Sequence, residues 1–196
     1  LTETSPLTHA NPPHRAKPGS IGIPLRDTDA KIVDPDTGTD LMAGEAGELV
    51  IRGPQVMKAY WKRPEETAMA MAGGWFHTGD IALMDAEGYF TIVDRKKDLI
   101  NSAGYKVWPR EVEEVIYAHP AVQLAAVTGQ PDDYWGEVVK AFVVLKESHR
   151  GLVAEGDIIT FCKQRMVGYK VPRAVEFREE LPLSATGKMF RRLLKE

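Results

Sequence analysis

Short apolar runs separated by polar turns dominate the first half of the chain. Runs such as Glu48-Leu-Val-Ile51 alternate with turn segments such as Pro35-Asp-Thr-Gly38, a spacing typical of antiparallel strands. We predict strands over 20–23, 30–33, 48–51 and 89–93, and a further run that ends at Thr78-Gly79-Asp80. Together these strands would form a small β-barrel or an antiparallel sheet. Residues 1–19 show neither the strand period nor the helix period of apolar residues and are predicted to be a loop.

One helix interrupts these strands. Residues 64–71 begin with Pro64, which suits the first helical turn, and continue with two glutamates that favour the positive end of a helix. Good helix formers follow, and Gly73-Gly74 stops the pattern. The segment therefore predicts a helix of two turns.

A second pattern begins after the charged tetrad Asp94-Arg95-Lys96-Lys97. Residues 99–107 predict a β-hairpin with Gly104 in an exposed turn. Val112, Val115 and Ile116 share one face of a predicted helix over 109–118. The remaining predicted elements are strands over 122–128, 138–145 and 174–177, a helix over 157–166 and a terminal helix over 187–195. This order is typical of a compact α+β domain of about a hundred residues.

The fold class is therefore α+β, in two domains. We assign residues 1–94 to the C-terminal end of a larger domain, represented by its barrel-like or antiparallel sheet segment, and residues 95–196 to a small, complete α+β domain. With 196 residues and 43% hydrophobic content, each part is long enough to bury a core.

Charge and cysteine usage exclude several function classes. The formal net charge of -3 provides no broad cationic field for nucleic acid or an anionic membrane surface. Cys162 is the single cysteine, so no intrachain disulfide forms, and a reducing cytoplasm is the expected compartment. We interpret Cys162 as a half-buried thiol on a helix. The scattered histidines argue against a zinc site, and no signal peptide or transmembrane segment is seen.

Four separated motifs carry a resemblance to a known family. They are LTETSP (1–6), GWFHTGD (74–80), YFTIVDRKKDLINSAGYKVWPREVE (89–113) and PLSATGKMFRR (182–192). In this order the motifs resemble the adenylate-forming superfamily, especially the fatty-acyl-CoA synthetases. The resemblance implies two half-reactions: a carboxylic acid reacts with ATP to give an acyl-adenylate and pyrophosphate, and coenzyme A then displaces AMP. ATP, Mg²⁺ and coenzyme A are the implied cofactors.

The resemblance also implies roles for residues that face the nucleotide. Thr2 would face the phosphates, and Glu3 would hold Mg²⁺ through a carboxylate oxygen. Asp80 would accept both ribose hydroxyls, after a glycine that lets the backbone approach closely. Arg95 would also reach the ribose, with its permanently charged fork of donors. On their own, these residues would be interpreted as a solvated loop, a turn aspartate and a surface arginine.

Further residues match family positions in the small domain and at its start. Lys97 would be the hinge about which the mobile domain rotates between half-reactions. Gly104 would line the tunnel for the pantetheine arm of coenzyme A, and Lys106 would assist with domain contacts or a phosphate of coenzyme A. Lys188, in Thr186-Gly-Lys188, would be the adenylation lysine, which stabilises charge that develops on phosphate. A plain turn glycine and solvated lysines are the alternatives.

The predicted function is that of the C-terminal part of an ATP-dependent acyl-CoA ligase for a carboxylic acid, with a fatty acid favoured by the motif similarity. Because the chain opens on Leu1 within a family motif, we expect it to require a preceding part of its own chain, and to be inactive alone. One alternative is an adenylating enzyme that loads a carrier protein or another acceptor. A less favoured alternative is a non-catalytic module, for instance an RNA binder, which the acidic balance opposes.

Overall fold

The computed structural model describes residues 1–184, 187 and 189–194. The chain divides into two compact units, Leu1–Lys97 and Asp98–Glu196, which we call the N-terminal unit and the C-terminal unit. Both combine strands with helices, and the predicted α+β class is confirmed. No helix within the described ranges is long and apolar enough to cross a membrane.

An antiparallel sheet of four strands forms most of the N-terminal unit. Its strands, in spatial order, are β3 (Asp29–Val33), β4 (Gly47–Arg52), β5 (Phe76–Met84) and β6 (Phe90–Arg95). A two-stranded antiparallel pair, β1 (His9–Ala10) and β2 (Ile23–Pro24), accompanies it. Of the two predicted forms, the open sheet is therefore correct and the barrel is not.

The core of the N-terminal unit lies against this sheet. Its fully buried members are apolar side chains of the four strands: Ile32, Leu49, Ile51, Ala82 and Phe90. The helix α1 (Pro64–Ala70) has Pro64 in its first turn, as predicted, but none of its residues is buried. The core of this unit is therefore built by the sheet rather than by the helix.

Up to its last strand, the C-terminal unit follows the predicted order of elements. They are β7 (Ile100–Ser102), β8 (Tyr105–Val107), α2 (Pro109–Tyr117), β9 (Val122–Asp132), β10 (Gly136–Leu145), α3 (Glu155–Lys163) and β11 (Ala174–Phe177). Strand β10 pairs antiparallel with β9 and β7 and parallel with β11. The predicted hairpin is the pair β7 and β8.

Helices α2 and α3 cover one face of this sheet. Val112 and Ile116 of α2 are fully buried, and Val115 packs beside them. From α3, Ile158 and Cys162 enter the same core. Cys162 is 0% exposed, so it is a fully buried core thiol rather than the half-buried one predicted.

Three further sequence predictions differ from the structure. Thr78-Gly79-Asp80 lies in the middle of β5 and does not end a strand. The predicted loop 1–19 contains a 3-10 turn at Thr2–Thr4 and the short strand β1. Within the described part of 187–195, the only helical segment is a 3-10 turn, Arg191–Leu194, and not the predicted terminal helix.

Candidate functional site

Asp80 and Arg95 face each other across the sheet of the N-terminal unit. The antiparallel register of β5 and β6 sets them opposite each other, and Arg95 Nε lies 4.0 Å from Asp80 Oδ1. Gly79 has φ +70°, and the Thr78 hydroxyl accepts the Asp80 N–H at 3.1 Å. Strand pairing, rather than proximity in sequence, therefore brings Asp80 and Arg95 together.

The Asp80 carboxylate is half-buried, with its side chain 22% exposed. Burial raises its pKa above the ordinary value; the Arg95 guanidinium opposes that shift, and the negative charge of Glu3 adds to it. Among the described residues, no donor lies within hydrogen-bonding distance of this carboxylate. A carboxylate in this state is suited to accept hydroxyl groups from a ligand.

Glu3 lies in the 3-10 turn Thr2–Thr4, which other loops hold in place. The Met57 N–H donates to the Glu3 carbonyl at 2.7 Å, and Tyr60 Oη donates to Glu3 Oε1 at 3.1 Å. Burial raises the pKa of Tyr60, and its hydrogen bond to Glu3 adds to the shift. Thr2 is exposed in the same turn. Thr2, Glu3, Asp80 and Arg95 thus all belong to one unit, and Glu3 is close enough to act on Asp80 electrostatically.

A magnesium ion would fit Glu3 as one carboxylate ligand. Across 1–184, 187 and 189–194, no group of three histidine, cysteine or acidic residues is placed to hold a metal. Mg²⁺ in phosphate chemistry is usually held by one or two carboxylates together with phosphate oxygens and water. The partly exposed carboxylate of Glu3 matches that donor set, whereas a closed metal cage of protein ligands is not present in the described residues.

A cluster around Glu48 was not predicted from the sequence. This β4 carboxylate is only 4% exposed and accepts from three donors: Lys96 Nζ at 2.9 Å, His77 Nδ1 at 3.1 Å and the Gly79 N–H at 3.2 Å. Burial by itself raises the pKa of Glu48, but the bonds from Lys96 and His77 outweigh it and hold the pKa below the ordinary value. Glu48 is therefore an ionised, satisfied carboxylate behind the Asp80 turn.

Lys97, the predicted hinge, lies in the 3-10 turn Lys96–Asp98. Its side chain is exposed and makes no hydrogen bond or ion pair with any described residue. Its two neighbours differ: Lys96 binds Glu48 in the N-terminal unit, and Asp98 accepts from Arg191 Nη1 at 3.3 Å in the C-terminal unit. The residue predicted to rotate is thus the one whose side chain is not held.

Gly104 and Lys106 lie on the β7–β8 hairpin of the C-terminal unit. Ala103 and Gly104 both have positive φ, 50° and 85°, as the tight hairpin turn requires. A Cβ added at Gly104 would meet no atom within 4 Å. Lys106 lies on β8, opposite Asn101. The hairpin tip is therefore open, and a side chain there would project into free space.

Aromatic rings lie near this tip that were not predicted from the sequence, and two of them, Tyr105 and Tyr169, are exposed. Tyr105 stacks on Tyr169 with ring centroids 4.5 Å apart, and the Arg173 guanidinium lies 4.3 Å from the centre of the Trp135 ring. The Trp135 carbonyl also accepts the Ala103 N–H at 2.8 Å. Aromatic and cationic groups thus lie close to Gly104.

Lys188, the predicted adenylation lysine, lies outside the described residues.

Comparisons with known proteins match both halves of the chain. The model of the AMP-binding enzyme family matches residues 1–61, and that of the AMP-binding enzyme C-terminal domain matches residues 111–188. A long-chain-fatty-acid–CoA ligase of Bacillus subtilis (strain 168) is 52% identical over 197 residues, which cover 100% of this chain and 35% of that protein. The chain thus spans about a third of the length of this curated relative.

Solved structures also match the whole length of this chain. ATP-bound MatB from Rhodopseudomonas palustris superimposes with a TM-score of 0.92 at 34% identity, over 100% of this chain and 39% of that one. The o-succinylbenzoate CoA synthetase MenE of Bacillus subtilis, solved with its acyl-adenylate intermediate, gives a TM-score of 0.86 at 36% identity, over 100% and 40% of the two chains. With both family models matched in chain order and a fold shared along its whole length, the chain belongs to the AMP-binding, adenylate-forming enzyme family.

Proposed function

We propose that this chain is the C-terminal third of an ATP-dependent ligase that joins a carboxylic acid, most simply a fatty acid, to coenzyme A. The observation that carries the proposal is the Asp80–Arg95 pair, set by the sheet in a chain that is 52% identical to a fatty-acid–CoA ligase. A shielded carboxylate beside an arginine fork suits a vicinal diol such as the ribose of ATP.

The N-terminal unit would hold the nucleotide. Asp80 would accept hydrogen bonds from the ribose hydroxyls while Arg95 donates to ribose oxygens. Thr2 would donate its hydroxyl to a phosphate oxygen, and Glu3, oriented by Tyr60, would hold Mg²⁺. The ion would neutralise phosphate charge during transfer of the adenylyl group. These residues bind and orient the substrate, and none of them needs to move a proton.

The small domain, which we place at residues 95–196, would act in both half-reactions. Lys188 would stabilise negative charge while the carboxylate attacks the α-phosphorus. The open tip at Gly104 would admit the pantetheine arm in the second step. The neighbouring rings and cations, with Lys106, would face the nucleotide part of coenzyme A. Lys97 would be the pivot between the two arrangements. Because Cys162 is buried and single, a reducing compartment such as the cytoplasm suits the protein.

The decisive experiment measures the two half-reactions separately in the full-length ligase that contains this chain. With Lys188→Ala, ATP–pyrophosphate exchange should fall roughly 10²–10³-fold, because one charge-assisted contact to the reacting phosphate is lost. Thioester formation from supplied acyl-adenylate should change little. Fatty acids of several chain lengths and an aromatic acid should be compared as substrates.

The control is Lys163→Ala, which removes an exposed lysine from the last turn of α3 and should leave both rates unchanged. Equal losses in the two half-reactions with Lys188→Ala would contradict its role. The absence of acid-dependent exchange with every acid tested would contradict the proposed function as a whole.

A further inference from the structure

Ion pairs with carboxylates hold the chain on both sides of Lys97. On the N-terminal side, Lys96 Nζ binds Glu48 Oε2 at 2.9 Å. On the C-terminal side, the Asp98 carboxylate binds Arg191, and Arg191 in turn binds Glu113. We call these the Glu48 clamp (Glu48 and Lys96) and the Arg191 clamp (Arg191, Asp98 and Glu113). Each clamp lies within one unit.

The Glu48 clamp also reaches the nucleotide-binding turn. The same carboxylate accepts the N–H of Gly79, the residue immediately before Asp80. Lys96 is 41% exposed, whereas Glu48 is 4% exposed, so the lysine comes from the surface to a fixed, buried anchor. One side chain therefore fixes both the Asp80 turn and the last residue before the pivot.

The Arg191 clamp is more extensively bonded. Arg191 Nη2 lies 2.8 Å from Glu113 Oε2 and 3.0 Å from Glu113 Oε1. Glu113, on α2, also accepts the Val127 N–H of β9 at 2.8 Å. Arg191 is 19% exposed and its two acidic partners are 17% and 11% exposed. The arginine thus joins helix α2 and strand β9 to the first residue after the pivot, and it lies three positions beyond Lys188 in the sequence.

We propose that Glu48 and Arg191 are positioning residues that confine domain rotation to Lys97 and tie each side of the pivot to a reactive element. This inference rests on the proposed function. On one side the reactive element is the Asp80 turn, and on the other it is the segment that contains Lys188. A pivot of one residue has few accessible orientations, so less conformational entropy is lost when either productive arrangement forms.

The clamps can be tested without any activity, by ¹⁵N relaxation of the 196-residue chain. In the parent protein, fast backbone motion should be confined to Lys97, with an order parameter below about 0.6 against about 0.85 for rigid neighbours. Glu48→Gln, which keeps an acceptor for Gly79 but loses the charge that holds Lys96, should extend the motion to Lys96. Arg191→Met should extend it to Asp98.

Matched controls remove ion pairs away from the pivot. Glu87→Gln breaks the surface pairs with Lys17 and Arg15, and Arg178→Met breaks the pair with Glu176; neither should alter the relaxation of Lys96 or Asp98. If Glu48→Gln fails to fold, Lys96→Met removes the same pair from its exposed end. Unchanged order at Lys96 and Asp98 in the clamp variants would overturn the proposal.

Half-reaction kinetics of the full-length ligase supply the second test. In both clamp variants the rate of thioester formation should fall about tenfold while the KM for coenzyme A stays constant, because orientation rather than contact with the thiol substrate is lost. Arg191→Lys should recover part of the rate, since it restores one cationic donor. A change in the KM for coenzyme A alone, or an unchanged rate of thioester formation, would overturn the positioning role.

The two experiments separate the two proposals. Loosened relaxation in the clamp variants, together with no ligase activity in the parent enzyme, would retain the clamps and reject the proposed function. Normal ligase activity in the parent enzyme, together with unchanged relaxation and half-reaction kinetics in the clamp variants, would retain the proposed function and reject the clamps.

Discussion

At the scale of single residues, burial of the Asp80 carboxylate carries an electrostatic cost. Its pKa is raised, first by burial, so folding favours its protonated form, and the folded N-terminal unit loses stability as the pH rises through that pKa. Asp80→Asn should therefore stabilise the unit at pH 7 by about 1 kcal/mol, or roughly 4–8 °C in melting temperature for a unit of this size. The gain should shrink as the pH falls below 4. Calorimetry between pH 3 and pH 8 measures it.

Asp85 provides a control of opposite sign. The hydrogen bond from Lys17 is the main cause that lowers the Asp85 pKa, so its ionised form stabilises the fold and that stability is lost as the pH falls through the lowered value. Asp85→Asn should therefore lower the melting temperature at pH 7. If both variants shifted it in the same direction, the electrostatic account of Asp80 would be wrong.

Gly104 has a matched partner for a test of the open hairpin tip. Gly104 and Gly151 both have positive φ, 85° and 75°, and a Cβ added at either would meet nothing within 4 Å. Leucine at either position should cost a similar 1–2 kcal/mol or so of backbone strain. In the full-length ligase, however, only Gly104→Leu should slow thioester formation, and adenylation should be spared in both variants. Similar slowing of thioester formation by Gly151→Leu would show that backbone strain, rather than the position of the hairpin tip, causes the effect.

Motifs in the sequence predict Asp80 and Arg95 as site residues, and their roles stay predictions, whereas the cluster around Glu48 has no signal in the sequence. Asp80 and Arg95 were proposed together from separate motifs, and the register of β5 and β6 shows how two residues fifteen positions apart come to face each other. Glu48 stands in a strand pattern with Leu49, Val50 and Ile51, and nothing in the sequence says that Lys96 and His77 will surround it. Such a cluster depends on strand pairing, which the linear pattern does not contain.

At the scale of elements, the 3-10 turn Lys96–Asp98 should tolerate loss of the Lys97 side chain but not loss of backbone freedom at Lys97. Lys97→Ala should leave both half-reactions of the proposed full-length ligase unchanged, because the side chain makes no hydrogen bond or ion pair with a described residue. Lys97→Pro fixes φ and should slow thioester formation while adenylation persists. Single-turnover assays of each step compare the two variants. A comparable loss with alanine would show that the ammonium group, not the rotation, matters.

Elements with a strong local pattern were predicted well, and those shaped by distant contacts were not. The apolar face of α2 and the β7–β8 hairpin are both present. Strand β5 instead continues through Gly79, because Thr78 bonds to the Leu49 carbonyl and Gly79 to Glu48 on the neighbouring strand. In the terminal segment, Leu194 is buried against the sheet and Arg191 is bound to Glu113, so tertiary contacts rather than helix propensity fix its described residues.

At the scale of the whole molecule, each unit has its own apolar cluster, and the two should be separable by mutation. Ile51 and Ile116 are both 0% exposed, one in each cluster. Replacing either with alanine should cost about 2–5 kcal/mol through lost burial and a residual cavity. Hydrogen exchange read by mass spectrometry should show faster exchange in Leu1–Lys97 for Ile51→Ala and in Asp98–Glu196 for Ile116→Ala. Faster exchange across both units from either change would contradict separate cores.

The charged tetrad bears on where the chain divides. It predicts a domain boundary after residue 94, which stays a prediction, and the structure divides into compact units after Lys97. The difference of three residues has a physical cause, because Arg95 pairs with Asp80 in the sheet and Lys96 binds Glu48. A run of charged residues indicates an exposed junction, but the partners of each charged side chain determine the unit to which it belongs.

The buried thiol of the C-terminal unit can report local opening of that unit. Cys162 is fully buried and is the single cysteine of the chain, and burial raises its pKa to about 11. An alkylating reagent at neutral pH therefore finds almost no thiolate and no access while the unit is closed. Modification requires the core beneath α3 to open, so the labelling rate, followed by mass, reports how readily this core opens in the native protein and can be compared between variants.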